Sequence, residues 1–294
     1  MLGLEIYDNA IVAVSVGESG GVLARAESPL VPDAPSAALA VMERVAPKSA
    51  PSPTLGIAAA NPDSRDCQAV VKVLTGRYAL DPGGVSMWGS AAVVAEAWVG
   101  AARGIRDVVL FSVAEHTGAG IVRDGRPVMG VHRRAPAVAW MALNPVERED
   151  YRKAGCLEAE VAAAGIVRRL IWRIKAGDRS RVQDLVNGDL SAITAGQVLE
   201  AARQQDGVSI SVVRDTAKYL GMAAANLVAT SDPEMLVLGG IMATAADLLF
   251  EPVKVEISRR LPVLLMQTLK IAPATLGADA GAIGAARLAA GTPQ

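Results

Sequence analysis

The residues whose types could do chemistry are thinly spread along this 294-residue chain. Two cysteines, Cys67 and Cys156, would bring thiol or metal chemistry, but they stand far apart, with no CxxC or CxC pair and no histidine pair nearby. That spacing supports neither a disulfide framework nor a zinc site, and both are expected as reduced thiols. The apolar run 235–238 leads into Gly239-Gly240 and a helical pattern, which any strand-to-helix turn can show. Arg168, Arg169, Arg173 and Lys175 share one helix and are expected as a solvated face.

Composition sets the frame for these few groups. The chain is 51% hydrophobic, 20% charged and only 3% aromatic, so its core must be built from small aliphatic side chains. Disorder, collagen-like repeats and a disulfide scaffold are excluded. Twenty-nine Lys and Arg against 30 Asp and Glu give a net charge of -1, which removes the electrostatic basis for binding nucleic acid or an anionic membrane. Glu5 and Asp8 fall where a secretory signal needs an unbroken apolar run. The longest apolar stretches, such as 235–246, are shorter than the roughly 18 residues of a membrane span. A cytoplasmic protein is expected, with no membrane and no nucleic-acid partner.

The elements that must position any site follow from periodicity. Runs 2–7, 11–16 and 21–27, separated by Asp8-Asn9 and by a Gly-rich turn, read as an antiparallel meander. A helix over 36–45, a strand 54–58, a helix 65–74, a strand 85–88 and an Ala-rich helix 91–102 complete a first pass. A second pass begins with strands 107–113, 118–123 and 126–131, the last two joined by the hairpin turn Asp124-Gly125. It continues through helices to strand 235–238, helix 244–260, strand 264–271 and a closing helix 280–290. Between Cys156 and Ala229 the pattern is all helical, and Val213, Ala217, Leu220, Ala224 and Leu227 form one buried stripe. The expected fold class is α/β, a two-lobed, duplicated ribonuclease H-like architecture of the actin-like ATPase kind. Its lobes would span 1–104 and 105–294, with a helical insertion at about 156–229.

Four long stretches go further than topology. VGAARGIRDVVLFSV with GAGIVRDGRPVMG inside 98–130, GCLEAEVAAAGIVRR at 155–169, AKYLGMAAANLVATSDPEMLVLGGI at 217–241 and LGADAGAIGAARLA at 276–289 resemble the ROK family of repressors, open reading frames and sugar kinases. The resemblance implies phosphorylation of hexoses with ATP, or sugar sensing when a winged-helix DNA-binding domain precedes the kinase-like core. With a first strand starting at Leu2, a chain without that domain is expected.

Against the family pattern, the site residues depart. The first phosphate loop, Asp-Ile-Gly-Gly-Thr-Lys in the family, is Glu5-Ile6-Tyr7-Asp8-Asn9-Ala10 here. Glu5 keeps a carboxylate, while Tyr7 and Asp8 bring bulk and negative charge to the phosphate position. The catalytic Asn-Asp-Ala-Asn becomes Met87-Trp88-Gly89-Ser90, so Trp88 stands where the base is expected, and an indole accepts no proton. Ser90 reads as an N-cap or, by the resemblance, as a sugar contact. The second phosphate loop becomes Ala114-Glu115-His116-Thr117-Gly118, which keeps only its last glycine and reads as a polar hairpin loop. Pro136 to Trp140 replace the sugar-binding Glu and the zinc-binding His, and the family's Cys-x-Cys-Gly-x-x-Gly-Cys-Leu-Glu survives only as Gly155-Cys156-Leu157-Glu158. One thiolate cannot hold a structural zinc. Glu158 is the retained sugar contact, equally favoured by its place near a helix start. The segment after Ala60 to Pro62 turns directly into the next helix, where the family inserts a sugar-contacting loop. Only the adenosine end, Gly239-Gly240, is intact; by the resemblance Glu5, Thr117, Gly118, Gly239 and Gly240 would be nucleotide contacts, and Glu158 and Ser90 sugar contacts.

The expectation is a catalytically inactive ROK-like protein that acts as a binding, regulatory or structural subunit. An active, glucokinase-like sugar kinase using Glu5, Glu115 or Asp8 is the first alternative, and a transcriptional regulator core working with a DNA-binding partner is the second. No cofactor and no zinc are expected, ATP and magnesium entering only with the kinase alternative. The resemblance implies a homodimer, with room for a protein partner. Three of the ten aromatic residues, Tyr7, Trp88 and Trp140, are expected as plugs in the former active site.

Overall fold

A computed structural model describes residues 1–7, 9–30, 33–47 and 54–291. Its first half runs β1 (Leu2–Tyr7), β2 (Ala10–Val16), β3 (Val22–Pro29), α1 (Ala34–Val45), β4 (Leu55–Ala59), α2 (Arg65–Thr75), β5 (Ser86–Met87) and α3 (Trp88–Val99). The second half begins with β6 (Val108–Val113), β7 (Thr117–Arg123) and β8 (Arg126–Pro127). Helices α4 (Glu149–Ala154), α5 (Cys156–Val161), α6 (Ala163–Lys175), α7 (Arg181–Leu185), α8 (Ala195–Arg203) and α9 (Gly207–Ser231) follow. The chain ends through β9 (Met235–Gly240), α10 (Ile241–Thr244), α11 (Ala246–Ser258), α12 (Val263–Thr268), β10 (Lys270–Pro273) and α13 (Ala280–Ala289).

The sheets have orders β3-β2-β1-β4-β5 and β10-β9-β6-β7-β8, each an antiparallel meander continued by parallel strands. The two halves therefore repeat one plan. At the hairpin between β7 and β8, Asp124 and Gly125 both take positive φ, 51° and 76°, which suits the twist of the strands they join. Helices α1 and α2 cover one face of the first sheet, where Val41, Met42, Val70 and Leu74 meet Leu2, Leu4 and Ile6. Helices α9 and α11 cover the second sheet, and the stripe of Val213, Ala217, Leu220, Ala224 and Leu227 is buried as its spacing predicts. None of the described helices is long and apolar enough to cross a membrane.

Three local expectations fail for identifiable reasons. The strand expected at 126–131 is only Arg126–Pro127, followed by one more bond from the Val128 amide to the Ile121 carbonyl at 2.8 Å, before Gly130 at φ 72° turns the chain away. The strand expected at 264–271 is mostly helix α12, because Pro262 caps a run of good helix formers before β10 begins at Lys270. The Ala-rich helix starts at Trp88 with Met87 as its N-cap residue, so Ser90 is not a cap but an interior position of α3.

Between the sheets lie α13 and α3, and their contacts are made largely by backbone. A Cβ on Gly3 or Gly56 of the first sheet would stand 1.9 Å from a carbonyl oxygen of α13, that of Ala282 or Ala285. One on Gly284 of α13 would stand 1.8 Å from the Ala91 carbonyl of α3, and one on Gly89 of α3 would stand 2.0 Å from the Ala119 carbonyl of β7. Although last in sequence, α13 thus packs on the first sheet and on α3. Buried Glu96 locks the approach to α13: it accepts from the amides of Thr275 at 2.9 Å, Leu276 at 3.0 Å and Ala101 at 2.7 Å.

Filling one of these contacts should cost far more than a methyl group elsewhere. Gly284→Ala is expected to lower unfolding free energy by about 2 kcal/mol, through forced separation of α13 from α3. Gly196→Ala, at an open helical position whose nearest neighbour would be 3.9 Å away, is expected to be neutral or stabilising. Urea denaturation of both variants checks the contrast.

Candidate functional site

A cleft of about 570 Å³ opens between the two sheets. Its walls come from the end of β1, the turn 60–63, the β5–α3 junction, the start of β7, the segment 132–140 and the α4–α5 junction. Most of these are strand ends and connections, where a rigid scaffold presents side chains.

At one end, Trp88 opens α3 with its indole 7% exposed. Its Nε1 donates to Glu5 Oε1 at 2.9 Å, and its ring stacks on Tyr7 with centroids 4.3 Å apart. Two glycines make room for it: a Cβ on Gly118 would stand 2.8 Å from the indole, and one on Gly281 would stand 2.6 Å. The glycine retained from the second phosphate loop therefore accommodates a tryptophan. Tyr7 extends the cover by donating its hydroxyl to the His116 carbonyl at 3.2 Å.

Beneath this stack Glu5 is 4% exposed, with Oε2 accepting from the Ala282 amide at the start of α13, 3.0 Å away. Burial pushes its carboxyl up to about 8, outweighing the donors at Trp88 and Ala282. Near neutral pH it is mostly uncharged and shut from the cleft.

Glu158 lines the same cleft and bonds to His116 and Thr117. Gly155, at φ 95°, joins α4 to α5 against the Ala139 carbonyl and sets the direction of the short helix carrying it. Its carboxylate accepts from the Thr117 amide and hydroxyl, both at 3.0 Å, and meets His116 Nδ1 at 3.1 Å. Burial pushes this carboxyl up, but the His116 and Thr117 hydrogen bonds prevail and hold it below its ordinary value. Glu158 is thus an ionised acceptor facing the cleft. The turn after Ala60 closes at once into α2, capped by Ser64, and Asp63 reaches across to Arg134 at 2.8 Å.

The remaining expected site residues separate. Thr117 and Gly118 line the cleft, but Gly239 and Gly240 are not among its lining residues. They sit against β6, where a Cβ on Gly240 would stand 1.9 Å from the Val113 carbonyl. Ser90 is buried, its hydroxyl reaches the Ala135 carbonyl at 3.4 Å, and it is not among the residues lining the cleft. Glu115 is exposed and does not line the cleft; Asp8 lies outside the described residues. Trp140 stands at the rim 57% exposed, so it plugs nothing, because the turn 138–140 points it outward beside α4.

The family's zinc knuckle has a different filling here. Counting its cysteine pattern back from Cys156 places Glu149 and Tyr151 at two ligand positions. The Tyr151 hydroxyl donates to buried Glu160, which also receives Arg148 Nη1 at 3.1 Å. Arg148 lies 4.8 Å over the Tyr151 ring and 4.7 Å over Trp172, while Arg168 binds Asp150. Arg169 stands 3.6 Å from Glu160 with its side chain 11% exposed. Arg168 and Arg169 therefore turn inward, correcting the expectation of a wholly solvated basic face; only Arg173 and Lys175 of that set are exposed. No group of three or more His, Cys, Asp or Glu that could hold a metal ion occurs among the described residues, and the Trp140, Glu149, Tyr151 and Cys156 set does not fit zinc. The Glu5 corner does not fit a magnesium-bound phosphate either, since its carboxyl lies beneath the indole. Glu96 and the Ala282 amide were missed from sequence because their partners lie in remote segments, and Glu160 because its partners sit on neighbouring helices whose packing is not revealed by spacing.

The buried Glu5 should set a pH slope on stability. Its folded value of about 8 exceeds its ordinary 4.5, so its stabilising contribution is complete below 4.5 and is lost as pH rises through 8. Relative to Glu5→Gln, the wild type is expected to lose about 1 kcal/mol per pH unit across that window, measured by denaturant titration at several pH values.

Comparison with known proteins agrees with this geometry. The sequence pattern of the ROK family matches residues 86–292. A glucokinase of Halalkalibacterium halodurans is 32% identical over 195 residues, covering 66% of this chain and 59% of that protein. The N-acetylglucosamine repressor of Escherichia coli O157:H7 is 28% identical over 162 residues, covering 55% of this chain and 38% of its own length. The match thus spans less than two thirds of these curated relatives. Among solved structures, a ROK family glucokinase from Streptomyces griseus in complex with glucose and AMPPNP superposes with a TM-score of 0.79 at 23% identity, covering 98% of both chains. Its likeness carries the two-lobed actin-like fold, and the match over most of this sequence carries the kinship: the chain belongs to the ROK family.

Proposed function

We propose that this chain is a catalytically silent ROK protein that binds a sugar in its cleft and acts as a binding or regulatory subunit. The observation that carries this reading is the Glu5–Trp88–Tyr7 stack, which occupies the corner where phosphoryl transfer needs a base and phosphate donors. Of the three carboxylates considered as replacement bases, Glu5 is buried beneath the indole and Glu115 does not line the cleft. Asp8 lies outside the described residues. Losing the base removes about 10²-fold to 10⁴-fold in rate, before any loss of phosphate positioning is counted.

The sugar half of the proposal rests on Glu158. It is ionised, faces the cleft and is held in place by Thr117 and His116, as an acceptor for ligand hydroxyls requires. The relatives named as glucokinases and as N-acetylglucosamine and xylose repressors support a sugar as the ligand class. The missing loop after Ala60 leaves the cleft more open than an enclosed hexose site, which suits recognition better than exclusion of water during transfer.

Two measurements test this. In a coupled assay with Mg-ATP and a panel of hexoses, no sugar-dependent ADP release is expected; turnover at roughly 1 to 10³ s⁻¹ would sink the proposal. In thermal-shift titrations at least one neutral hexose is expected to stabilise the chain, by about 2.7 kcal/mol at 100 times its Kd. Glu158→Gln is expected to weaken that binding about tenfold, by removing the charged acceptor.

A further inference from the structure

We infer that the cleft recognises a sugar bearing an oxyanion, a phosphate or a carboxylate, and that Arg133 receives the anionic group. This deepens the sugar-binding proposal above and rests on it. The observation behind it is a guanidinium with nothing to hold. Arg133 lines the cleft, yet among the described residues its guanidinium forms no hydrogen bond and no ion pair, and its Nε is shut from water without an acceptor.

The other charged groups around it are spoken for. Arg134 pairs with Asp63 at 2.8 Å, Lys153 with Glu149 at 2.7 Å and His116 with Glu158 at 3.1 Å. Asp81 and a terminal nitrogen of Arg133 both flank Gly83, but the Asp81 carboxylate accepts from the Gly83 amide at 2.9 Å and makes no ion pair with Arg133. A neutral side chain would cost nothing at this position. An arginine whose Nε is desolvated and unpaired is instead penalised, because a buried charged donor without an acceptor loses its hydration and gains nothing.

The backbone pays a second penalty. Arg133 has φ 56°, in the left-handed region that side chains rarely adopt, inside the tight turn where its amide donates to the Gly130 carbonyl at 3.1 Å. Two unfavourable features at one cleft residue, with no intramolecular return for either, point to a partner that comes from outside. The planar fork of a guanidinium matches the paired oxygens of a phosphate or carboxylate, and bidentate contacts of that kind are short and strong. ATP phosphate at the far corner is not that partner, since Trp88 and Tyr7 fill it. With Glu158 lining the same cleft as acceptor for hydroxyls, the anion belongs on the sugar itself.

Calorimetric titration of the full chain with glucose, glucose 6-phosphate, glucuronate and inorganic phosphate tests the assignment. At least one of the two anionic sugars is expected to bind about tenfold or more tightly than glucose, as a charge-assisted pair gives. Whichever gains identifies the source of the oxyanion. Arg133→Gln is expected to erase the preference and Arg133→Lys to keep part of it, with an unliganded melting temperature no lower than the wild type's in both as the control for folding, and higher in Arg133→Gln, where the penalty on the unpaired guanidinium is removed. A preference that survives Arg133→Gln overturns the inference. So does inorganic phosphate binding as tightly as the sugar phosphate, which would mark an adventitious ion only. Glucose binding without any anionic gain also overturns it, yet leaves the sugar-cleft proposal standing; silence with all four compounds overturns both.

Discussion

Contact between backbones at the centre of the molecule is the constraint on which the rest depends. First sheet, α13, α3 and second sheet form four layers, and at each of the three boundaries a glycine meets a carbonyl with no room for a Cβ. Such close approach fixes separation and register more tightly than side-chain packing, because backbone cannot change rotamer. It also explains how a chain with so few aromatics holds two sheets together: alanine and glycine let more backbone meet per unit volume. The cleft inherits this rigidity. Trp88 begins α3, Ala282 lies in the first turn of α13, and Glu5 leaves the neighbouring strand, so the three groups are positioned by one contact.

The chemistry of that corner follows from the same crowding. Gly118 and Gly281 border the indole, and a side chain on either would collide with its ring. Once the indole is seated, Glu5 is deprived of water and drifts toward its neutral form. A carboxyl that could have served a metal or a proton transfer becomes a hydrogen-bond acceptor within the core. Elsewhere in the cleft, Glu158 stays charged because three donors come to it from β7 and its preceding turn. Two glutamates about the same cleft have opposite states, set by whether their surroundings supply donors enough to offset burial.

Much of this architecture could be read from the chain. Alternating and continuous apolar runs mark both meanders, Asp124-Gly125 marks its hairpin, and the stripe from Val213 to Leu227 marks the face of α9. What escaped was decided by single local features or by distance in sequence. Gly130 turns the chain away where hydrophobicity alone would extend a strand, and Pro262 turns an apolar run into helix α12. At the site, the position of Trp88 was legible, but not that Trp140 would face solvent, since an aromatic after a proline-rich turn has no periodicity to orient it. Arg168 and Arg169 looked like surface because their partners, Asp150 and Glu160, lie on other helices. Arg133 gave no signal at all, because neither a positive φ nor a missing partner is written in residue type.

The stacked pair of Tyr7 and Trp88 also bears on how this corner tolerates change. Replacing Trp88 by a carboxylate would not by itself open this corner. It would leave an indole-sized void, a loss of about 3–5 kcal/mol by analogy with large-to-small core changes, and would set a second acid beside buried Glu5. Tyr7 would still cover the corner, while a chain with neither aromatic would be unstable before it was useful. The packing thus couples indole, phenol and glycines, so that a change at any one of them unsettles the others.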